Sequence, residues 1–151
     1  MEKKINLSPS LEDYLEAILI LERKNRVARV KDIAEALQVQ MPSVTGALKN
    51  LKRKGLINYE KNSYISLTEV GFSMAEAIEN KHSIIRNFLE NVLLLSSEEA
   101  TEQACKIEHV ITPETAKRLK NCSEYITENL GSDDTGKDWI DIILPKKPAV
   151  S

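Results

Sequence analysis

The stretch "PSVTGALKNLKRKG", residues 42–55, has the pattern of a helix with one buried and one exposed face. Proline is favoured in the first turn of a helix, and Val44, Leu48 and Leu51 recur at the spacing of a single buried stripe. Gly55 suits the position just after a helix, where the backbone turns left-handed. The other face carries small polar and basic side chains. The pattern therefore predicts a short helix with an exposed face shaped for a close-fitting partner.

The segments before and after this helix predict the structural motif to which it belongs. "VKDIAEALQV", residues 30–39, predicts a shorter helix with Ile33, Ala34 and Leu37 on its inner face, and "QMPSV" interrupts it. "LINYEKNSYISLT", residues 56–68, has strand-forming residues on both sides of the turn "EKNS" and predicts a hairpin. A helix, a tight turn, a second helix and a hairpin predict a winged helix-turn-helix domain over residues 1–70.

The remaining segments are predicted to be helical. "SPS", residues 8–10, predicts the start of a first helix that runs to about Arg23, with Ser10 and Asp13 matching a capping box. A long helix is predicted from about Glu69 to Leu93.

Two further helix starts follow along the chain. One is capped by Ser97, and the next is capped by Thr112 with Pro113 in its first turn. These helices define a helical region over residues 71–130, and residues 131–151 form an acidic tail with the apolar piece "WIDIIL". The predicted fold is mainly α.

Composition excludes several classes of protein. The chain has 151 residues, 42% hydrophobic, which suits one domain or two small ones that share an interface. No apolar run approaches the roughly 20 residues that span a bilayer, and "MEKKINLSPS" lacks the apolar core of a signal peptide. Two cysteines 17 positions apart are typical of reduced thiols. We expect a cytoplasmic protein without a membrane partner.

The net charge of −2 conceals an asymmetry along the chain. From Met41 to Lys61 the only acid is Glu60, whereas residues 121–141 are strongly acidic. A basic block in an acidic protein predicts a polyanion partner for one face. Because a winged helix-turn-helix places its second helix in the major groove, double-stranded DNA is the expected partner.

Residue types along the second helix suggest two kinds of DNA contact. Short side chains near its start would let the backbone approach base edges, and basic residues further along would meet phosphates. The hairpin turn adds a lysine for a neighbouring groove or phosphate. The candidate DNA-binding residues from this pattern are Ser43, Thr45, Gly46, Lys49, Lys52, Arg53 and Lys61. A solvated basic helix in a helical bundle is the simpler alternative.

A second cluster of residues predicts a metal site. "ACKIEHVIT", residues 104–112, holds Cys105, Glu108 and His109, which helical spacing would place on one face. Asp13 and Glu16 share a face of the first helix in the same way. His82 is a lone imidazole in the long helix. Carboxylate, imidazole and thiolate are ligands of divalent first-row metals.

The donor types do not identify which metal would bind. Oxygen-rich sites suit Mn(II), while added nitrogen and sulfur suit Fe(II), Co(II), Ni(II) or Zn(II). Glu102, one turn before Cys105, is a further candidate ligand, and Cys122 is expected to be structural.

Several motifs resemble the metal-dependent repressors of the diphtheria toxin repressor and manganese transport regulator family. The resemblance covers about residues 8–128 and rests on "LEDYLEAI", "RVKDIAEALQV", "PSVTGALKNLKRKGLI", "LTEVG", the "KH" of 81–82 and "CKIEHVIT". It implies a homodimer with an N-terminal winged helix, a C-terminal helical dimerisation region and a metal site between them. The SH3-like third domain of longer members is not expected in this chain.

The resemblance also implies roles for individual residues. Asp13 and Glu16 match first-helix ligands of the manganese type, and His82 matches the long-helix histidine ligand. Glu108 and His109 match a carboxylate–histidine pair that both types share. Pro42, Ser43 and Thr45 match recognition-helix positions used on operator DNA.

The departures from the family bear on metal identity. Cys105 stands where the manganese type has glutamate and the iron type has cysteine, so Fe(II) is slightly favoured over Mn(II). Arg86 and Thr101 stand where the iron type has the Glu and His ligands of its second metal site. The implied output is metal-activated repression of iron or manganese homeostasis genes.

Two other interpretations are open at this stage. A winged-helix regulator that responds to a non-metal ligand would use residues 105–109 only for packing. A metalloenzyme would need a substrate pocket, but the sequence has no HExxH motif, no glycine-rich phosphate loop and no Ser/His/Asp arrangement. We therefore expect neither catalysis nor a small-molecule substrate.

Overall fold

The structure, a computed structural model, describes residues 5–61, 63–129 and 142–144. The chain divides into two compact units, Met1–Glu79 and Asn80–Ser151. Helices dominate the described residues, which confirms the predicted mainly α fold with an N-terminal winged helix-turn-helix. The domain boundary at residue 70 stays a prediction.

The first helix, α1, spans Pro9–Asn25 and buries Leu15, Ile18 and Leu19 in the core of the first unit. Its N-cap is Ser8, whose Oγ accepts a hydrogen bond from the Leu11 backbone N–H at 3.3 Å. The predicted capping box at Ser10 is therefore wrong. The extended backbone of Ser8 leaves its side chain facing the free N–H groups, and Pro9 takes the first helical position.

The helix-turn-helix consists of α2, Val30–Leu37, and α3, Met41–Arg53. The end of α3 is a Schellman motif, in which the Gly55 N–H donates to Lys52 O at 2.9 Å and the Leu56 N–H donates to Leu51 O at 3.0 Å. Gly55 has a φ of 74°, which confirms its predicted role in ending the helix.

The wing is shorter than the sequence predicted. Strand β1 is Ile57–Asn58 and β2 is Ser66–Leu67, paired antiparallel with Ile57 opposite Leu67. Tyr59 and Tyr64 lie outside the strands. Ile65 instead forms an antiparallel bridge with Ala28, so the segment before α2 pairs with the wing at one position.

The start of α4, Glu69–Asn87, is pressed against the end of the helix-turn-helix. Thr68 Oγ1 donates to Gly55 O at 2.8 Å and accepts from the Gly71 N–H at 3.0 Å. A Cβ atom at Gly71 would lie 1.8 Å from Leu56 O, so only glycine fits there. This close approach explains the glycine of "LTEVG".

The second unit contains the end of α4, a π-helical segment at Phe88–Val92, and two more helices, α5 at Ser97–Ile107 and α6 at Pro113–Asn129. The predicted long helix to Leu93 therefore ends earlier, because the hydrogen-bonding pattern changes at Phe88. A core of Ile85, Leu89, Ala100 and Ala104 holds these elements together.

Two helix caps in this unit were predicted. Ser96, one residue before the predicted Ser97, caps α5 by accepting from the Glu99 N–H at 3.2 Å, so that prediction is wrong by one position. Thr112 Oγ1 accepts from the Thr115 N–H at 3.1 Å, which confirms Thr112 as the cap of α6.

The predicted acidic tail, residues 131–151, lies outside the described residues apart from positions 142–144. None of the helices in the described ranges has the length and apolar character needed to cross a membrane.

Candidate metal centre and DNA-binding face

The end of α5 organises the predicted metal ligands of the second unit. The helix stops at Ile107, Glu108 is its C-cap, and His109 follows in the turn. Cys105 thus lies within the helix, and Glu108 keeps helical backbone angles at its end, with φ −57° and ψ −29°. Cys105 is exposed on the helix, whereas Glu108 is buried.

Four predicted ligands of this unit lie close together around the Glu108 carboxylate. His82 Nδ1 is 2.7 Å from Glu108 Oε2, and Cys105 Sγ is 3.8 Å from the same His82 nitrogen. His109 Nε2 is 3.7 Å from Glu108 Oε1. Ligand atoms on one first-row metal ion lie about 3–4 Å apart, because each bond is about 2.0–2.3 Å long. The 3.7 and 3.8 Å separations match this spacing, whereas the 2.7 Å separation of His82 and Glu108 is that of a hydrogen bond. The donor types therefore fit a divalent cation.

The burial of Glu108 is the most informative feature of this cluster. Its exposed fraction is 0%, and Oε1 accepts no hydrogen bond within the described residues. Burying an ionised carboxylate costs several kcal/mol unless a cation or donors compensate it. A buried carboxylate with one unsatisfied oxygen is thus a chemical reason to expect a cation at this position.

Lys81 is a supporting residue that was not among the predicted site residues. Its Nζ donates to the Glu108 backbone carbonyl at 2.7 Å, which holds the turn after α5 against α4. The only sequence signal for this role is that Lys81 directly precedes His82.

The other predicted ligands lie in the first unit or are engaged elsewhere. Asp13 and Glu16 are half-buried on α1, one helical turn apart. Glu102 on α5 accepts a hydrogen bond from Lys106 Nζ at 2.7 Å, and this lysine lowers the pKa of the Glu102 carboxyl. Glu102 is thus an exposed ion-pair partner of Lys106.

The predicted DNA-binding residues line the outer face of α3 and the wing. Seven of them are exposed and Thr45 is half-buried. Thr45 Oγ1 donates to Met41 O at 3.1 Å, which uses its hydroxyl proton within the helix. Gly46 is on the same helix, and a Cβ atom there would meet nothing within 4 Å. Packing within the first unit therefore does not require glycine at position 46.

Lys52 links α3 to the wing. Its Nζ donates to the Tyr59 carbonyl at 2.7 Å and lies 3.6 Å from a Glu60 carboxylate oxygen. The predicted phosphate contact of Lys52 stays a prediction, and these contacts give the residue a second role in positioning the wing.

Comparison with known proteins identifies the family. The model of the iron dependent repressor N-terminal DNA binding domain matches residues 6–64, and that of the iron dependent repressor metal binding and dimerisation domain matches residues 68–134. The chain belongs to the iron-dependent repressor family. Members of this family are metal-dependent transcriptional repressors, so the expectation of a regulator rather than an enzyme is confirmed.

Two relatives of this repressor illustrate the similarity in sequence. An uncharacterized HTH-type transcriptional regulator of Methanocaldococcus jannaschii is 41% identical over 115 residues, which cover 76% of this chain and 92% of that protein. The HTH-type transcriptional regulator MntR of Bacillus subtilis is 31% identical over 122 residues, covering 81% of this chain and 85% of MntR.

Solved structures share the fold. The manganese regulator SloR superposes with a TM-score of 0.69 at 31% identity, and the metal-dependent transcriptional regulator MtsR with 0.71 at 25%. Each match covers 79% of this repressor and 55% of the other chain, so the repressor spans about half the length of these structures.

Proposed function

We propose that this chain is a homodimeric repressor that binds operator DNA when a divalent metal is bound. The observation that carries the proposal is the buried Glu108 carboxylate, 2.7 Å from His82 and with one oxygen lacking a hydrogen bond. This carboxylate lies in the segment that matches a metal-binding and dimerisation domain.

The proposed ligands come from both parts of the chain. His82, Cys105, Glu108 and His109 supply one set, and the first-helix residues Asp13 and Glu16 supply the other. We propose Fe(II) or Mn(II) as the physiological metal, with Fe(II) slightly favoured because Cys105 offers a thiolate. Relatives named as manganese regulators support Mn(II) as the alternative. Co(II), Ni(II) and Zn(II) are expected to bind in vitro.

The proposed switch follows from the charges of these residues. A bound divalent cation supplies positive charge where Asp13, Glu16 and Glu108 would otherwise repel one another. The carboxylates of α1 then share ligation with the second unit and restrict the orientation of the helix-turn-helix. In the dimer, the two α3 helices are held at the separation of successive major grooves, about 34–36 Å.

The DNA contacts are proposed on the exposed face of α3 and on the wing. Pro42, Ser43, Thr45 and Gly46 lie at the start of the helix, where recognition helices meet base edges. Lys49, Lys52 and Arg53 further along α3, and Lys61 in the wing, supply phosphate contacts that add affinity without sequence information.

The proposed dimer uses the second unit. This unit matches a dimerisation domain and exposes large apolar side chains, with Val110 79% and Tyr125 63% exposed. Side chains of this kind are expected to be covered in a homodimer. The proposed targets are iron or manganese homeostasis genes, in agreement with the names of the manganese-regulator relatives.

The test is a selection of genomic DNA fragments by the purified protein without oxygen. Parallel arms contain chelator, Fe(II) or Mn(II). We expect fragments to be retained only in a metal arm, and the two metal arms rank the metals. Equal retention in every arm would contradict the metal switch and favour a regulator with a different signal, whereas no retention would contradict DNA binding itself.

A further inference from the structure

A groove of about 780 Å³ runs between α3 and the wing of the first unit. Four basic side chains line it, Arg29, Lys49, Lys52 and Lys61, together with the rings of Tyr59 and Tyr64. Glu60 is the acid among its lining residues, and it is paired with Lys52 at 3.6 Å. The groove therefore carries net positive charge, which suits a polyanion.

Arg29 and Tyr64 are held side by side at this groove by the backbone. The Ile65 N–H donates to Ala28 O at 3.0 Å and the Ala28 N–H donates to Ile65 O at 3.4 Å. In an antiparallel pairing, the residue after Ala28 lies opposite the residue before Ile65. Arg29 and Tyr64 are those two residues, so their contact depends on the bridge that links the α2 entry to the wing.

This placement brings the side chains of Arg29 and Tyr64 into a cation–π contact. The Arg29 guanidinium carbon lies 5.3 Å from the centre of the Tyr64 ring, and the ring is 56% exposed. Within the described residues, Arg29 forms no ion pair with a carboxylate. A guanidinium stacked on a ring keeps its edge donors available, and these match the two oxygens of a phosphate.

We infer that Arg29, oriented by Tyr64, binds a backbone phosphate of one DNA strand that enters the groove between α3 and the wing. The inference rests on the proposed function and adds a contact outside the recognition helix. Arg29 binds the phosphate, and Tyr64 is a positioning residue that limits the directions in which the guanidinium points.

The experiment measures DNA affinity of the full chain by fluorescence anisotropy with Mn(II) and without oxygen. The probes are a fragment retained in the genomic selection and a 30-base-pair duplex of random sequence. The variants are Arg29→Ala, Arg29→Lys, Tyr64→Leu and Tyr64→Phe, and each affinity is measured from 50 to 200 mM salt. Lys117→Ala, which removes an exposed lysine of α6, is the control for a change in net charge.

Loss of Arg29 should weaken binding to both probes on the order of tenfold per subunit. The slope of log affinity against log salt should fall by about 0.9 for each lost phosphate contact. Arg29→Lys should recover only part of the affinity, because lysine lacks the paired donors. Tyr64→Leu should lower affinity, and Tyr64→Phe should rescue it, since phenylalanine keeps the ring. Circular dichroism of each variant separates a lost contact from a lost fold.

An unchanged salt slope in a folded Arg29→Ala variant would overturn the inference and leave the pair as a brace for the wing. The same result follows if Lys117→Ala lowers the slope as much as Arg29→Ala does. Wild-type protein that binds both probes equally with chelator would contradict the proposed metal switch but leave the Arg29 comparison valid. Wild-type protein that binds neither probe at 50 mM salt would overturn both.

Discussion

His82 Nδ1 lies 2.7 Å from Oε2 of Glu108, and the other oxygen of the same buried carboxylate accepts no hydrogen bond within the described residues. His82 Nδ1 and Glu108 Oε2 are both potential metal ligands. At this distance the two atoms share a hydrogen bond. The buried Oε1 of Glu108, which accepts no hydrogen bond within the described residues, is thus the most specific structural reason to expect a cation in the second unit.

Replacing Glu108 with glutamine should abolish most of the metal response. The neutral amide is a poor ligand for a divalent cation, so metal-stimulated DNA affinity should fall at least tenfold. The metal-free variant should be no less stable than wild type, because burying an amide costs less than burying a carboxylate. DNA binding with and without Mn(II), and urea unfolding with chelator, measure the two effects.

Glu114→Gln is the matched control, since Glu114 is an exposed acid of α6 that pairs with Arg118 at 3.0 Å. It should retain the metal response. If Glu108→Gln retained it as well, the ligand assignment in the second unit would be wrong.

Bound metal should also raise stability. Ligand that binds only the folded state adds about 2.7 kcal/mol at a free concentration of 100 times its dissociation constant. We expect the unfolding midpoint of wild type to rise with added Mn(II) or Fe(II) and to return after chelation. A Glu108→Gln variant whose midpoint rises as far as that of wild type would argue against Glu108 as a ligand.

Replacing either of two glycines with alanine should change stability, but in opposite directions. A Cβ atom at Gly46 meets nothing within 4 Å, so Gly46→Ala should stabilise α3 by roughly 0.8–1.0 kcal/mol. It should also lower operator affinity, because the added methyl would lie on the face of α3 that we propose contacts DNA. At Gly71 the added atom would lie 1.8 Å from Leu56 O, so Gly71→Ala should destabilise the first unit. Thermal unfolding and anisotropy of both variants check the pair, and normal operator affinity in Gly46→Ala would remove that residue from the interface.

The sequence predicted the helices and the wing because their signals are local. Val44, Leu48 and Leu51 repeat at helical spacing, and the αL position of Gly55 follows from its place after α3. The choice between Ser96 and Ser97 as a cap, or between Ser8 and Ser10, depends on which serine has an extended backbone, and neighbouring serines do not differ in pattern. The two predicted serine caps were therefore wrong, by two residues for α1 and by one residue for α5.

Sequence patterns also failed to predict contacts at the candidate sites between residues that are far apart in the chain. The proposed metal ligands were chosen by residue type and helical spacing, and α5 ends at Ile107, before Glu108 and His109. Glu108 became the centre of the cluster because it is buried, which no sequence pattern reports. The Arg29–Tyr64 contact was missed because it depends on the Ala28–Ile65 bridge, which joins segments far apart in the chain.

Glu22 should make stability depend on pH. Its carboxylate accepts the Leu67 N–H at 3.3 Å, and burial raises the pKa of Glu22 above the ordinary 4.5. The protonated form is therefore favoured in the folded state, so the contribution of Glu22 to stability declines as pH rises from 4.5 through the raised pKa.

Glu22→Gln removes this titration but keeps an oxygen for Leu67. The variant should be more stable than wild type near neutral pH, and its advantage should shrink towards pH 4.5. Urea unfolding across this range, with Glu35→Gln as an exposed control on α2, measures the difference. An advantage that stays constant with pH would show that Glu22 does not titrate differently on folding.

If metal binding and DNA binding are coupled in this repressor, the affinity for metal must differ with and without operator DNA. Calorimetric titration of the full chain with Mn(II), and separately with Fe(II) without oxygen, gives both affinities. Linkage requires DNA to tighten metal binding by the same factor by which metal tightens DNA binding. We expect the factor by which DNA tightens metal binding to equal the factor by which metal tightens DNA binding, with both well above one. Identical metal affinity in the presence and absence of bound DNA would contradict it.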